Sequence, residues 1–237
     1  MSDAAVASTA SLRFDAVLFD LLTALLDSWT VWADVAGDPD TGRRWRDEYL
    51  RITYGEGSYR PYESLVAEAA QAQQLDPRLA GQLAARWGDI RPWDEAPAVL
   101  RALSSAGLKL GVVTNCSEQL GHIAADQVGV PLDVVVTAEA AGAYKPRPEP
   151  YALAIQRLGV PAERVLFVAG SRYDIPGAGG LGMPVWWHNR VHMDRGDLPA
   201  PLAEHDRLTP LVGDVLTGSL IPSAEPRHDQ ELSHDHR

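Results

Sequence analysis

Five short apolar runs punctuate the chain: Ala16–Phe19, Leu108–Val113, Val134–Val136, Val165–Val168 and Pro184–Trp187. Their length and branched side chains predict strands. Between them, apolar positions recur at helical spacing. Val99, Leu100 and Leu103 share one helix face, Leu120, Ile123 and Ala124 another, and Leu153, Ile155 and Leu158 a looser one. Gly107, Gly129 and Gly159 stand where such helices would stop. This alternation predicts an α/β fold, a Rossmann-like parallel sheet flanked by helices. It breaks between Ser28 and Trp93, where "TGRRWRDEYLRITYG" and "YESLVAEAAQAQQL" read as helices and no strand is evident. That stretch predicts an all-helical cap inserted after the first strand, above the carboxyl edge where open α/β sheets bind ligands. The expected organisation is a core of residues 12–27 and 94–221, a cap of 28–93, and flexible tails of 1–11 and 222–237.

Composition narrows this picture. The 237 residues suit one core plus an insert, and 46% hydrophobic content is enough for a packed interior. A net charge of −11 argues against nucleic acid or an anionic membrane as the main partner. No apolar run approaches a membrane span, and "MSDAAVASTAS" lacks the basic and apolar regions of a signal peptide. The single cysteine, Cys116, excludes an intrachain disulfide and a Cys-rich zinc site. It fits a reducing, cytoplasmic location. The carboxyl-terminal His228, His234 and His236 lie in a polar stretch that reads as a solvated end.

Polar residues cluster at the predicted strand ends. The first run stops at Asp20, inside otherwise apolar sequence, where a lone carboxylate needs a partner. The second ends in Thr114, Asn115 and Ser117. Lys145 follows the third, and Ser171 and Asp174 follow the fourth. Each alone reads as a helix cap or surface group. In a parallel sheet all share one edge, which is what a site requires, and an ammonium near Asp20 keeps it ionised.

These residues in this order resemble the four motifs of the haloacid dehalogenase (HAD) superfamily over nearly the whole chain between the tails. The motifs are a nucleophilic aspartate (Asp20), a hydroxyl after strand two (Thr114), a lysine (Lys145) and an acidic loop ("GSRYD"). Phosphatases of that superfamily carry an acid two residues after the nucleophile and a magnesium-binding aspartate in the fourth motif. Leu22 and Gly170 occupy those positions here, and neither offers the oxygens a hard cation wants. "WRDEYL", "KPRPEPY" and "GMPVWWHNR" are instead similar to the type II L-2-haloacid dehalogenase branch. The usual Asp-x-Tyr-Gly-Thr appears as Asp20-Leu21-Leu22-Thr23-Ala24, and Ser171 stands where the branch has asparagine.

The resemblance implies a metal-independent, cofactor-free hydrolase. It would displace halide from the α-carbon of a short carboxylic acid, or cleave a related activated bond, through an ester on Asp20. It assigns Lys145 to holding Asp20 ionised and Asp174 to the hydrolytic water. Thr114 and Asn115 go to the substrate carboxylate and Arg46 to the leaving group, with Tyr151 and Ser171 in support. Dimers occur in this branch, so a homodimer is compatible with it. Two alternatives stand beside this reading: a magnesium-dependent phosphatase with degenerate motifs, and a non-catalytic binding protein. Cys116 reads as a packed thiol and His188 and His192 as surface residues. Trp29, Trp32, Trp45, Trp87 and Trp93 read mostly as the core of the insert, with one or two lining the pocket.

Overall fold

The computed structural model describes residues 12–220; the expected tails and their three histidines lie outside the described residues. Strand β1 (Ala16–Asp20) runs into a single π-helical turn, Leu21–Leu25, and the two-residue β2 (Leu26–Asp27). Helices α1 (Ser28–Ala36), α2 (Pro39–Gly55), α3 (Tyr62–Ala72) and α4 (Leu79–Ala85) follow, and the chain returns through β3 (Arg91–Pro92). Then come α5 (Ala96–Ser105), β4 (Lys109–Thr114), α6 (Glu118–Asp126), β5 (Val134–Thr137), α7 (Ala138–Ala141) and α8 (Pro148–Leu158). The last elements are β6 (Val165–Ala169), α9 (Asp174–Gly179), β7 (Val185–His188), β8 (Ala203–His205) and α10 (Thr209–Leu216).

Six strands form one sheet in the order β5-β4-β1-β6-β7-β8, every neighbour pair parallel. The order reverses at β1, which puts Asp20 at the switch point of the carboxyl edge. Both faces are covered, which is why β1 reads as an unbroken apolar run. Val17 and Phe19 pack with Leu100, Leu103 and Leu211 on one face, and Ala16 and Leu18 with Tyr151, Leu158 and Phe167 on the other.

Two features differ from the expected pattern. β8 was not foreseen: it is a three-residue edge strand with no fully buried residue, so it carries little apolar signal. The stretch expected to be helical throughout also contains β3, which pairs antiparallel with β2 through Leu26↔Pro92 and Asp27↔Arg91. This small ribbon ties together the two points where the chain leaves and re-enters the sheet region.

The helical stretch has an aromatic core. Asp38 caps α2 by accepting from Thr41 N at 2.9 Å. The helix then buries Gly42, Trp45, Arg46, Tyr49 and Thr53 along one stripe. Gly42 allows α1 and α2 to touch: a Cβ there would sit 2.6 Å from Ala33 Cα. Trp32 meets Trp45 edge-on at 4.6 Å, and Tyr62 meets Trp87 at 5.7 Å. Trp32, Trp45 and Trp87 are thus core residues, as expected from composition.

Candidate active site

Asp20 ends β1 and is buried. Its two oxygens have separate partners. Oδ1 accepts from Lys145 Nζ at 2.7 Å. Oδ2 accepts from Thr23 N at 2.9 Å, Ala24 N at 3.3 Å and the Thr23 hydroxyl. Burial alone would raise the carboxyl pKa, but the Lys145 charge and these donors outweigh it and hold Asp20 below the usual range. Lys145 Nζ also lies 3.1 Å from Asp174 Oδ1, which accepts from Tyr151 Oη at 2.7 Å. Burial raises the pKa of Asp174, Lys145 draws it back, and the Asp20 charge leaves it above the usual range. Burial opposes the charge on Lys145, yet the two carboxylates raise its pKa overall. Two carboxyl groups on one ammonium are therefore pushed apart in acidity. Asp174 Oδ2 is buried with no hydrogen-bond partner among the described residues.

Asn115 fixes Lys145. Its Oδ1 accepts from Lys145 N at 2.7 Å and its Nδ2 donates to Lys145 O at 3.1 Å. The Lys145–Pro146 peptide is cis. The lysine therefore reaches the carboxylates from a backbone held at both polar ends.

A divalent cation does not fit these residues. A side chain at position 170 is blocked: its Cβ would overlap Thr23 Oγ1, 2.5 Å from Ala24 N and 2.7 Å from Asp20 Oδ2. Lys145 Nζ already bridges the two carboxylates. No cluster of three or more metal-ligating side chains occurs among the described residues.

Opposite this edge, the helical stretch supplies an aromatic wall. Asp20, Lys145, Asn115, Ser171 and Asp174 line one side of a cavity of about 50 Å³; Trp29, Trp32, Arg46, Tyr49, Tyr54 and Tyr62 line the other. Arg46 is buried, with its guanidinium 3.8 Å above the Trp29 ring. Its Nη1 has no hydrogen-bond partner among the described residues, and burial lowers its pKa. A guanidinium stays protonated at such a site, so its donors are available to an anion in the cavity.

The structure brings Asp20, Lys145, Asp174, Arg46, Asn115 and Ser171 to one cavity. Two expected substrate contacts do not line it. Thr114 is buried with its hydroxyl 3.3 Å from Cys116 Sγ, and Tyr151 is spent on Asp174. Cys116 is a packed thiol whose pKa burial pushes up to about 12. His188 corrects the surface expectation: it is the last residue of β7, fully buried, while His192 is exposed. Tyr54 was not anticipated. Its ring packs at a tilt against Tyr173, centroids 4.3 Å apart, with its hydroxyl 3.3 Å from Ser171 Oγ, and nothing local in "RITYG" announces that partner.

A family model described as haloacid dehalogenase-like hydrolase matches residues 14–182. The chain belongs to that family. Haloacetate dehalogenase H-2 of Moraxella sp. (strain B) is 27% identical over 195 residues, covering 75% of this chain and 87% of that protein. (S)-2-haloacid dehalogenase H-109 of Pseudomonas putida is 29% identical over 194 residues, 74% of this chain and 86% of that one. The crystal structure of the L-2-haloacid dehalogenase RSc1362 superposes with a TM-score of 0.77 at 28% identity, over 86% of this chain and 99% of its own. None of the described helices is long and apolar enough to cross a membrane.

Proposed function

We propose that this protein hydrolyses a carbon–halogen bond α to the carboxylate of a short acid, without a metal, through an ester on Asp20. The observation that carries the reading is a buried carboxylate paired with Lys145 and opening onto an aromatic cavity that holds an unpartnered guanidinium nitrogen, with no acid at position 22. A phosphate ester needs its leaving alcohol protonated. A halide leaves as a stable anion, so Leu22 is no defect for this chemistry.

In the first step an Asp20 oxygen attacks the α-carbon as the carbon–halogen bond breaks, and halide departs with the electron pair. Arg46, stacked on Trp29, receives it. Asn115 and Ser171 orient the acid; positioning of this kind can supply roughly 7–11 kcal/mol in favourable cases. In the second step water attacks the ester carbonyl. Asp174, whose raised pKa suits it as base, takes the water proton, and Asp20 is released as a carboxylate with the 2-hydroxy acid. Lys145 stabilises the oxyanion formed on the way. The helical stretch 28–93 acts as the cap that excludes bulk water, and a small-molecule carboxylate is the partner this site selects. The relatives' printed names, haloacetate and (S)-2-haloacid dehalogenase, support the same substrate class.

The test is free halide release from a panel of L and D short 2-haloacids in EDTA, beside phosphate release from a phosphomonoester with magnesium. Halide release that disappears in Asp20→Asn supports the reading. Magnesium-dependent phosphate release, or silence on every haloacid, overturns it.

A further inference from the structure

The turn that follows Asp20 is gripped from outside, and the grip falls on the same peptide planes that hold the carboxylate. Thr23 N donates to Asp20 Oδ2. The carbonyl of that peptide unit, Leu22 O, accepts from Ser28 Oγ at 2.5 Å. Ala24 N also donates to Asp20 Oδ2, and its own peptide carbonyl, Thr23 O, accepts from Trp93 Nε1 at 3.1 Å. Ala24 O accepts from His188 Nδ1 at 2.8 Å. A carbonyl only accepts, so Nδ1 carries the proton. Trp93 N closes the series on Leu25 O at 3.0 Å. The four carbonyls from Leu22 to Leu25 are thus all bound from outside the turn, by residues on α1, at the β3–α5 junction and on β7. None of Ser28, Trp93 and His188 lines the cavity.

We propose that Ser28 and Trp93 are positioning residues for Asp20, acting through the 22–23 and 23–24 peptides, with His188 bracing the next one. A hydrogen bond to a peptide carbonyl polarises the N–H at its other end, which strengthens that N–H as a donor. It also fixes the plane, so the donor cannot turn away from the carboxylate. The inference rests on Asp20 as nucleophile and explains how a turn without the branch's tyrosine and glycine keeps its amides on target. The charged and titratable groups facing Asp20 are Lys145, Asp174, Tyr151 and Cys116 and, across the cavity, Arg46 and Tyr54. Arg190 and Glu95 are the charges near His188.

The test uses the full-length protein. Ser28→Ala and Trp93→Phe each remove one side-chain donor, the second while keeping an aromatic ring beneath Arg190. Each is expected to lower kcat about fivefold to tenfold with KM little changed, the scale of one lost hydrogen bond. The acid limb of kcat/KM should move to higher pH, because the Thr23 and Ala24 amides that favour the Asp20 charge become weaker, less well-aimed donors. His188→Leu should do less, because the N–H of the peptide it grips is not on Asp20. Ser28→Thr, which retains the hydroxyl, should restore activity. A carbon-13 titration of the Asp20 carboxyl, assigned with Asp20→Asn, reads the same shift without turnover. It therefore tests the grip even where no haloacid is consumed. A lowered Tm with kcat, the acid limb and the Asp20 titration all unmoved would overturn the proposal and leave Ser28 and Trp93 as packing.

Discussion

The two walls of the cavity treat charge in opposite ways. At the strand-end edge, Lys145 sits 2.7 Å from Asp20 and 3.1 Å from Asp174, and Tyr151, Thr23 and two backbone amides take further carboxylate valences. At the helical wall, Arg46 is as deeply buried but stacks on Trp29 and leaves Nη1 without a partner. A buried charge whose partners belong to the protein is committed to holding a geometry and an ionisation state. A buried charge without one costs stability unless a ligand supplies the partner. On the proposed function, the edge serves the chemistry and the wall the recognition.

The sharpest way to test that division is to remove charges from each side. Asp20→Asn is expected to cut halide release by at least about 10⁴-fold while the fold remains intact by circular dichroism, since it removes the nucleophile but not its volume. Lys145→Met should come next. It strands two buried carboxylates, at a cost of about 3–5 kcal/mol in chemical denaturation at neutral pH. The pH dependence contributed by Asp20 should change sign as well. In the wild type Asp20 has a depressed pKa, so its contribution is present above the unfolded aspartate value and is lost as pH falls through the folded one. Without Lys145 both carboxyl groups have raised folded values. Their favourable contribution is then present at acid pH and lost as pH rises, so mild acid should stabilise the variant.

Arg46→Met should separate the walls most cleanly. Halide release is expected to fall about 10²-fold, yet stability should stay level or rise by about 1 kcal/mol, because a costly buried charge is replaced by an apolar chain. A large loss of stability would erase the contrast. Thr23→Ala should lower kcat roughly tenfold by removing one donor to Asp20 Oδ2. Tyr54→Phe, which removes only the hydroxyl that meets Ser171 at the join between the walls, should cost about twofold to threefold in kcat/KM.

The edge was more legible in the sequence than the wall, for a physical reason. A parallel sheet sends the residues at its strand ends to one line, so Asp20, Lys145 and Asp174 could be placed from apolar runs alone. The same logic overreached at Thr114. It ends its strand as expected, but its side chain meets Cys116 in the interior. His188 was misread because β7 runs one residue beyond its apolar run, carrying an imidazole into the core. The wall depends on contacts between helices distant in sequence. Arg46 stood out through its resemblance to the branch, whereas Tyr54 against Tyr173 and the Trp29 stack follow only from how α1 and α2 pack over the edge. The π-helical turn and its external donors had no local signature, since Ser28, Trp93 and His188 converge from three separate elements.

The central claim is that an ester forms on Asp20 and that water then attacks the enzyme's carbonyl carbon. A single turnover with excess protein in heavy-oxygen water measures this directly. The account predicts heavy oxygen in the Asp20-containing peptide, seen by mass spectrometry, and ordinary oxygen in the 2-hydroxy acid from that first cycle. Heavy oxygen in the product with none in Asp20 would mean that water attacks the substrate itself, and would contradict it.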